Sequence, residues 1–74
     1  MERRQKWLRI YFVSKGWTDV VEALDAYAEA YREMFYQHET ERLSWYEVNA
    51  RPLWNAWHAA WRAAEERERN ARDC

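Results

Sequence analysis

A chain of 74 residues with one glycine, one proline, one cysteine and a net charge of −1 is one small domain that lacks the turn residues a sheet requires. The lone cysteine, Cys74, rules out an intramolecular disulfide and with it a stapled secreted scaffold. Folding at this length buries only about 60% of the unfolded surface, so the core is thin and self-association is a common remedy.

Ala, Glu, Arg and Leu dominate the remainder, and these are strong helix formers. The expected fold is therefore all-α: a three-helix bundle or helical hairpin, with room for a fourth short helix before Pro52, assembled as a dimer. The opening "MERRQKWLRIYFV" is interrupted by Arg9 and is followed by no small-residue cleavage site. No stretch approaches the ~18 apolar residues of a membrane span. These features read as a soluble, cytoplasmic protein with no membrane partner.

The first helix is expected over about 2–14. Trp7, Ile10, Tyr11 and Ser14 share one helical face, and Gly16 supplies the left-handed stop just past the end. This segment is basic, with Arg3, Arg4, Lys6, Arg9 and Lys15 against Glu2. The next is acidic, so the two are expected to attract one another. Thr18 reads as the cap of a second helix over 18–38, with Trp17 stapling the entry and Asp19 and Glu22 complementing the positive helix end. Val20, Leu24, Tyr27, Tyr31 and Met34 follow as a heptad-like seam, widened by Ala28 and Phe35.

Residues 39–43 form the expected turn. Ser44-Trp45-Tyr46-Glu47 then matches a capping box, and Leu43 and Val48 occupy the positions of a hydrophobic staple. That pattern predicts a short helix over 44–50. Pro52 either kinks this helix or ends it and opens the next, over 52–69. The polar tail, 70–74, is expected to fray.

Trp54, Trp57 and Trp61 lie at i, i+3, i+7 and so on one face, with Leu53, Ala60 and Ala64. The plain reading is a core seam against Tyr27, Tyr31 and Phe35. The chain nevertheless carries six Trp, five Tyr and two Phe, each ring offering on the order of 150–250 Å². That is more aromatic surface than three short helices enclose. Tyr36, Trp45, Tyr46, Trp17 and Tyr11 lie off the main seams and are the candidates for exposure.

Nothing in the sequence assembles a catalytic or cofactor site. His38 and His58 share no metal-ligand spacing with each other or with Cys74. His38 reads as a helix-end residue and His58 as half-buried packing beside the tryptophans. A single glycine forbids a glycine-rich phosphate loop, and Glu65–Glu66 sit in a solvated charge run. The expectation is no enzyme activity, no cofactor and no metal.

The segment "LWNAWHAAWRAAEERER" resembles a Trp/Ala helix with W-x-A-W-x-A-A runs found in small accessory proteins encoded by bacteriophages. The resemblance implies a setting in which such proteins act by stoichiometric binding to a host factor: a defence complex such as a CRISPR effector, a transcription factor or a polymerase. It assigns no residue a role.

The resulting expectation is a non-enzymatic protein-binding module, an inhibitor of a host or defence protein. Tyr36, Trp45 and Tyr46 would anchor the partner and Glu39, Glu41 and Arg42 would rim them. Two alternatives stand beside it. One is a small nucleic-acid-binding regulator using Arg3, Arg4, Lys6 and Arg9 with interleaved Trp7 and Tyr11. The other is an oligomerisation module with no external partner.

Overall fold

The computed structural model describes residues 3–73, and every described element is helical. Glu2, to which the sequence assigned a helix start, and Cys74, in the tail expected to fray, lie outside them. Helix α1 spans Arg3–Lys15 and helix α2 spans Thr18–Met34. A 3-10 turn at Glu39–Glu41 leads into α3 (Arg42–Trp45), a π-helical turn (Tyr46–Ala50) and α4 (Arg51–Asp73). The last three run into one another as a single rod. It is about 48 Å long at 1.5 Å per residue, which accounts for the molecule's 52 × 20 × 14 Å extents.

Gly16 makes the first corner. Its φ of +74° is the left-handed conformation that only glycine adopts freely. Trp17 N–H then donates to Phe12 O (3.1 Å) and Gly16 N–H to Val13 O (3.0 Å), satisfying carbonyls at the end of α1. Thr18 does not cap α2. It is already the first helical residue, and Trp17 occupies the cap position without a side-chain hydrogen bond. The tight glycine corner brings the chain into the helix one residue early, so backbone bonds replace the hydroxyl.

The second corner also departs from expectation. Helix α2 stops at Met34, short of His38. His38 instead caps the 3-10 turn: its side chain accepts a hydrogen bond from the Thr40 N–H. Because the chain is helical from Arg42 onward, Ser44 has no free N-terminus to cap. Its hydroxyl donates backwards to Glu41 O (3.1 Å), and Glu47 pairs with Arg51 instead (3.2 Å). Leu43 and Val48 are exposed, so no staple forms.

Pro52 neither ends the helix nor opens a new one. A proline ring clashes with the carbonyl four residues back and removes one hydrogen bond. The π turn immediately before it absorbs both defects, its Arg51 N–H reaching five residues back to Tyr46 O. A five-residue turn also brings Trp45 round to the side of Ala50, so Trp45, Tyr46 and Ala50 all meet the core. The helix then continues through 70–73, where the sequence predicted fraying.

Each long helix contributes residues seven apart to the core. They are Gln5 and Phe12 from α1, Val20 and Tyr27 with Leu24 from α2, and Ala50, Trp57 and Ala64 from the rod. Alanines above and below let α2 approach closely, while Trp57 fills the middle. Helix α2 runs antiparallel to both neighbours, as its cross-links show. Arg9 of α1 pairs with Asp25 (2.8 Å), and Arg67 of α4 pairs with Asp19 (3.3 Å). Lys15 meets Glu68 (2.7 Å) across α1 and α4. The expected attraction between basic α1 and acidic α2 thus rests on Arg9–Asp25, with α4 supplying the rest. These pairs are solvent-accessible and screened, so they add little to stability. Burial of Phe12, Val20 and Leu24 carries the stability.

The inner face of α1 is Gln5, Leu8 and Phe12, while Trp7, Ile10 and Tyr11 point outward. The helix is apolar on both sides, so periodicity could not say which side packs.

Candidate functional site

The aromatic rings divide into a spine, largely buried until it emerges at Phe35, and exposed groups. The spine starts at Trp17, which is buried rather than displayed. It passes through Phe12 to Trp61 (5.0 Å, edge-on) and Trp57 (6.2 Å, stacked). From Trp57 it continues to Tyr27 (5.8 Å, stacked), Tyr31 (6.0 Å) and Phe35 (5.4 Å, edge-on). Edge-on and offset geometries of this kind suit the ring quadrupoles.

The predicted binding residues gather at the corner between α2 and α3, in unequal states. Tyr36 is 80% exposed, and Glu39 and Glu41 are exposed beside it. Arg42 folds back over the corner: its guanidinium lies 5.5 Å from the Phe35 ring centroid, and Nη2 donates to Phe35 O (3.4 Å). Trp45 and Tyr46 are half-buried against the core, and the Tyr46 hydroxyl hydrogen-bonds that of Tyr27 at 3.0 Å. Phe35 and Leu43 are exposed large apolar residues at the same corner, and Val48 is exposed on the π turn that follows α3. The sequence pattern did not reveal them, because it assigned Leu43 and Val48 to a staple and Phe35 to the seam.

The predicted basic residues are also divided. Arg9 is held by Asp25 through two hydrogen bonds, of 2.8 and 3.2 Å. Arg3, Arg4 and Lys6 are exposed and make no ion pair among the described residues. Trp7, 66% exposed, stands among them, with Ile10 and Val13 further along.

A third feature went unread in the sequence. Helices α1 and α4 diverge over Tyr27 and leave an open groove of about 460 Å³. Arg4 and Leu8 form one wall and Trp54, Trp57, His58 and Trp61 the other. The His58 ring lies 3.8 Å from the Trp54 ring and 4.4 Å from the Trp57 ring, centroid to centroid. The Trp57 indole N–H is buried and has no hydrogen-bond partner, a defect that costs about 1–3 kcal/mol. Only the i, i+3, i+7 tryptophan spacing hinted at this wall, and that spacing is equally that of a core.

Burial among these rings holds the His58 pKa below its ordinary value of 6.5, and nearby Arg62 lowers it further. The folded state thus binds the His58 proton more weakly than the unfolded chain does. The stability contributed by neutral His58 is complete above pH ~6.5 and is lost as pH falls through the depressed folded value. Thermal midpoints measured from pH 8 to pH 5 should therefore decline below about pH 6.5. His58→Gln should flatten that part of the profile, and a slope unaffected by the substitution would assign it to another group.

The described residues thus define an all-helical protein with three aromatic or basic surfaces. They contain no cluster of three or more His, Cys, Asp or Glu able to hold a metal ion, and no helix long and apolar enough to cross a membrane. No protein-family model, curated protein or solved structure matches the chain.

Proposed function

We propose that the protein is a non-enzymatic binding module that docks a protein partner on the α2–α3 corner. One observation carries this reading: Tyr36 and Leu43, 80% and 74% exposed, stand on a bend with Phe35, rimmed by Glu39, Glu41 and Arg42. Large apolar side chains held in water on a rigid corner are costly to keep there and typical of binding anchors. The resemblance of the Trp/Ala helix to those of phage accessory proteins supports a host or defence factor, such as a CRISPR effector, as the partner, inhibited by stoichiometric occupation.

The test compares wild-type protein with Tyr36→Ser/Leu43→Ser as bait in bacterial lysate. One partner should be retained at equimolar ratio by wild type and lost by the variant, with the thermal midpoint unchanged because neither side chain is buried. Equal retention by both baits would remove the corner from the function.

The outer face of α1 favours a second interaction. Trp7, Ile10 and Val13 are exposed in a row with Arg3 and Lys6. Two-fold pairing of copies would cover the apolar members, whereas nucleic acid would engage the cations with Trp7 as a stacking platform. Salt separates the two. Apolar self-association seen by light scattering persists from 50 to 500 mM salt, while phosphate binding falls steeply over that range.

A further inference from the structure

We propose that the groove between α1 and α4 binds a small aromatic carboxylate, independently of the corner. Its volume, about 460 Å³, lies within the roughly 300–1,000 Å³ of small-molecule sites. Flat walls come from Trp54, Trp61 and the His58 ring, and these match a planar apolar body.

The sign of the ligand's charge follows from the lining. Arg4 is exposed and makes no ion pair among the described residues; of the described residues lining the groove it is the one of fixed charge, and none of them is a carboxylate. A wall of indole faces with an acidic group beside it would select a cation. Here a guanidinium lines the space, which selects an anion and offers a planar fork for a carboxylate.

The flat body rests on Trp54 and His58, and the carboxylate's oxygen pair meets Arg4.

Titration calorimetry with three matched probes tests the site: 1-naphthoate, the neutral 1-naphthamide, and 1-naphthylmethylammonium. Naphthoate should bind at least about tenfold more tightly than the amide, as expected of a charge-assisted bond, and the ammonium should bind most weakly. Arg4→Gln should bring naphthoate down to the level of the amide. Trp54→Ala should weaken naphthoate and amide together, by losing the stacking surface. Arg4 is on the exposed rim, so the circular dichroism melt of Arg4→Gln should match wild type; Trp54→Ala gives up packing on His58 and should melt lower yet stay folded, and partner capture through the corner should be intact in both.

Equal or tighter binding of the ammonium, or a carboxylate preference that survives Arg4→Gln, overturns the assignment. So does the absence of naphthoate binding at millimolar concentration. A dimer that falls apart on Trp54→Ala also overturns it, because the groove's occupant would then be a second copy of the chain.

Discussion

Trp57→Ala should lower the thermal midpoint by tens of degrees and leave much of the population unfolded at 37 °C. Trp57 is buried at the centre of the aromatic spine, stacked on Tyr27 at 5.8 Å and on Trp61 at 6.2 Å. Truncating a buried Trp or Phe to Ala costs about 3–5 kcal/mol. A domain of this size has a total stability of roughly 4–11 kcal/mol, so one substitution removes about a quarter of it or more. At about 4–8 °C per kcal/mol, the shift is large in a circular dichroism melt. Trp57→Phe should cost much less. It keeps most of the apolar contact, and it deletes the indole N–H that has no acceptor, which offsets part of the lost packing. A loss under about 1 kcal/mol for Trp57→Ala would place the ring outside the core and contradict the packing of α4 on α2.

The same spine shows why some of this architecture could be read from the sequence and some could not. Helix α2 was legible because its apolar residues occupy one face only: Val20, Leu24 and Tyr27 are buried, and Asp25 and Glu29 lie off the seam. Gly16 was legible because one residue type answers one backbone requirement. Helix α1 was not, because Phe12 and Leu8 on one side are balanced by Trp7, Ile10 and Val13 on the other. Only contact with Trp17 and Trp61 decides between them. The capping box at Ser44 was a local signal overruled by a neighbour, since helix already present at Arg42 leaves no end to cap. Pro52 was ambiguous for a related reason. Its defect is absorbed by a π turn, and that turn is favoured by the rings it delivers to the core, Trp45 and Tyr46, rather than by any residue within it. The exposed rings followed the expected surplus, yet their identities shifted. Tyr36 and Tyr11 are exposed as anticipated, Trp17 is buried, Trp45 and Tyr46 are half-buried against the core, and Trp7, Phe35 and Trp54 are exposed instead. The groove was beyond reach, because it exists only where two helices remote in sequence separate.

Phe12→Ala should release α1 while the α2–α4 hairpin stays folded. Phe12 is fully buried and is the contact by which α1 engages the spine, 5.0 Å from Trp61 and 6.2 Å from Trp17. Gln5 is the other buried residue of α1, and a glutamine brings little apolar area. Without the phenyl ring, α1 would be held by Leu8 and by ion pairs through Arg9 and Lys15, which are partly solvated and weak. An isolated helix of 13 residues is marginal in water, so undocking and melting should coincide. Hydrogen exchange is the discriminating measurement. Amides of Leu8 to Val13 should lose most of their protection in the variant, while those around Leu24 and Trp57 should keep it. The Trp17 ring, uncovered by the loss of Phe12, should shift the fluorescence to the red. The groove loses its Arg4 wall in the same event, so the preference for naphthoate over naphthamide should vanish although Trp54 and His58 are untouched. Retained protection across α1 would show that Phe12 is not its anchor. Loss of protection everywhere at once would show that the hairpin cannot stand without the first helix, and that the three helices fold as one unit.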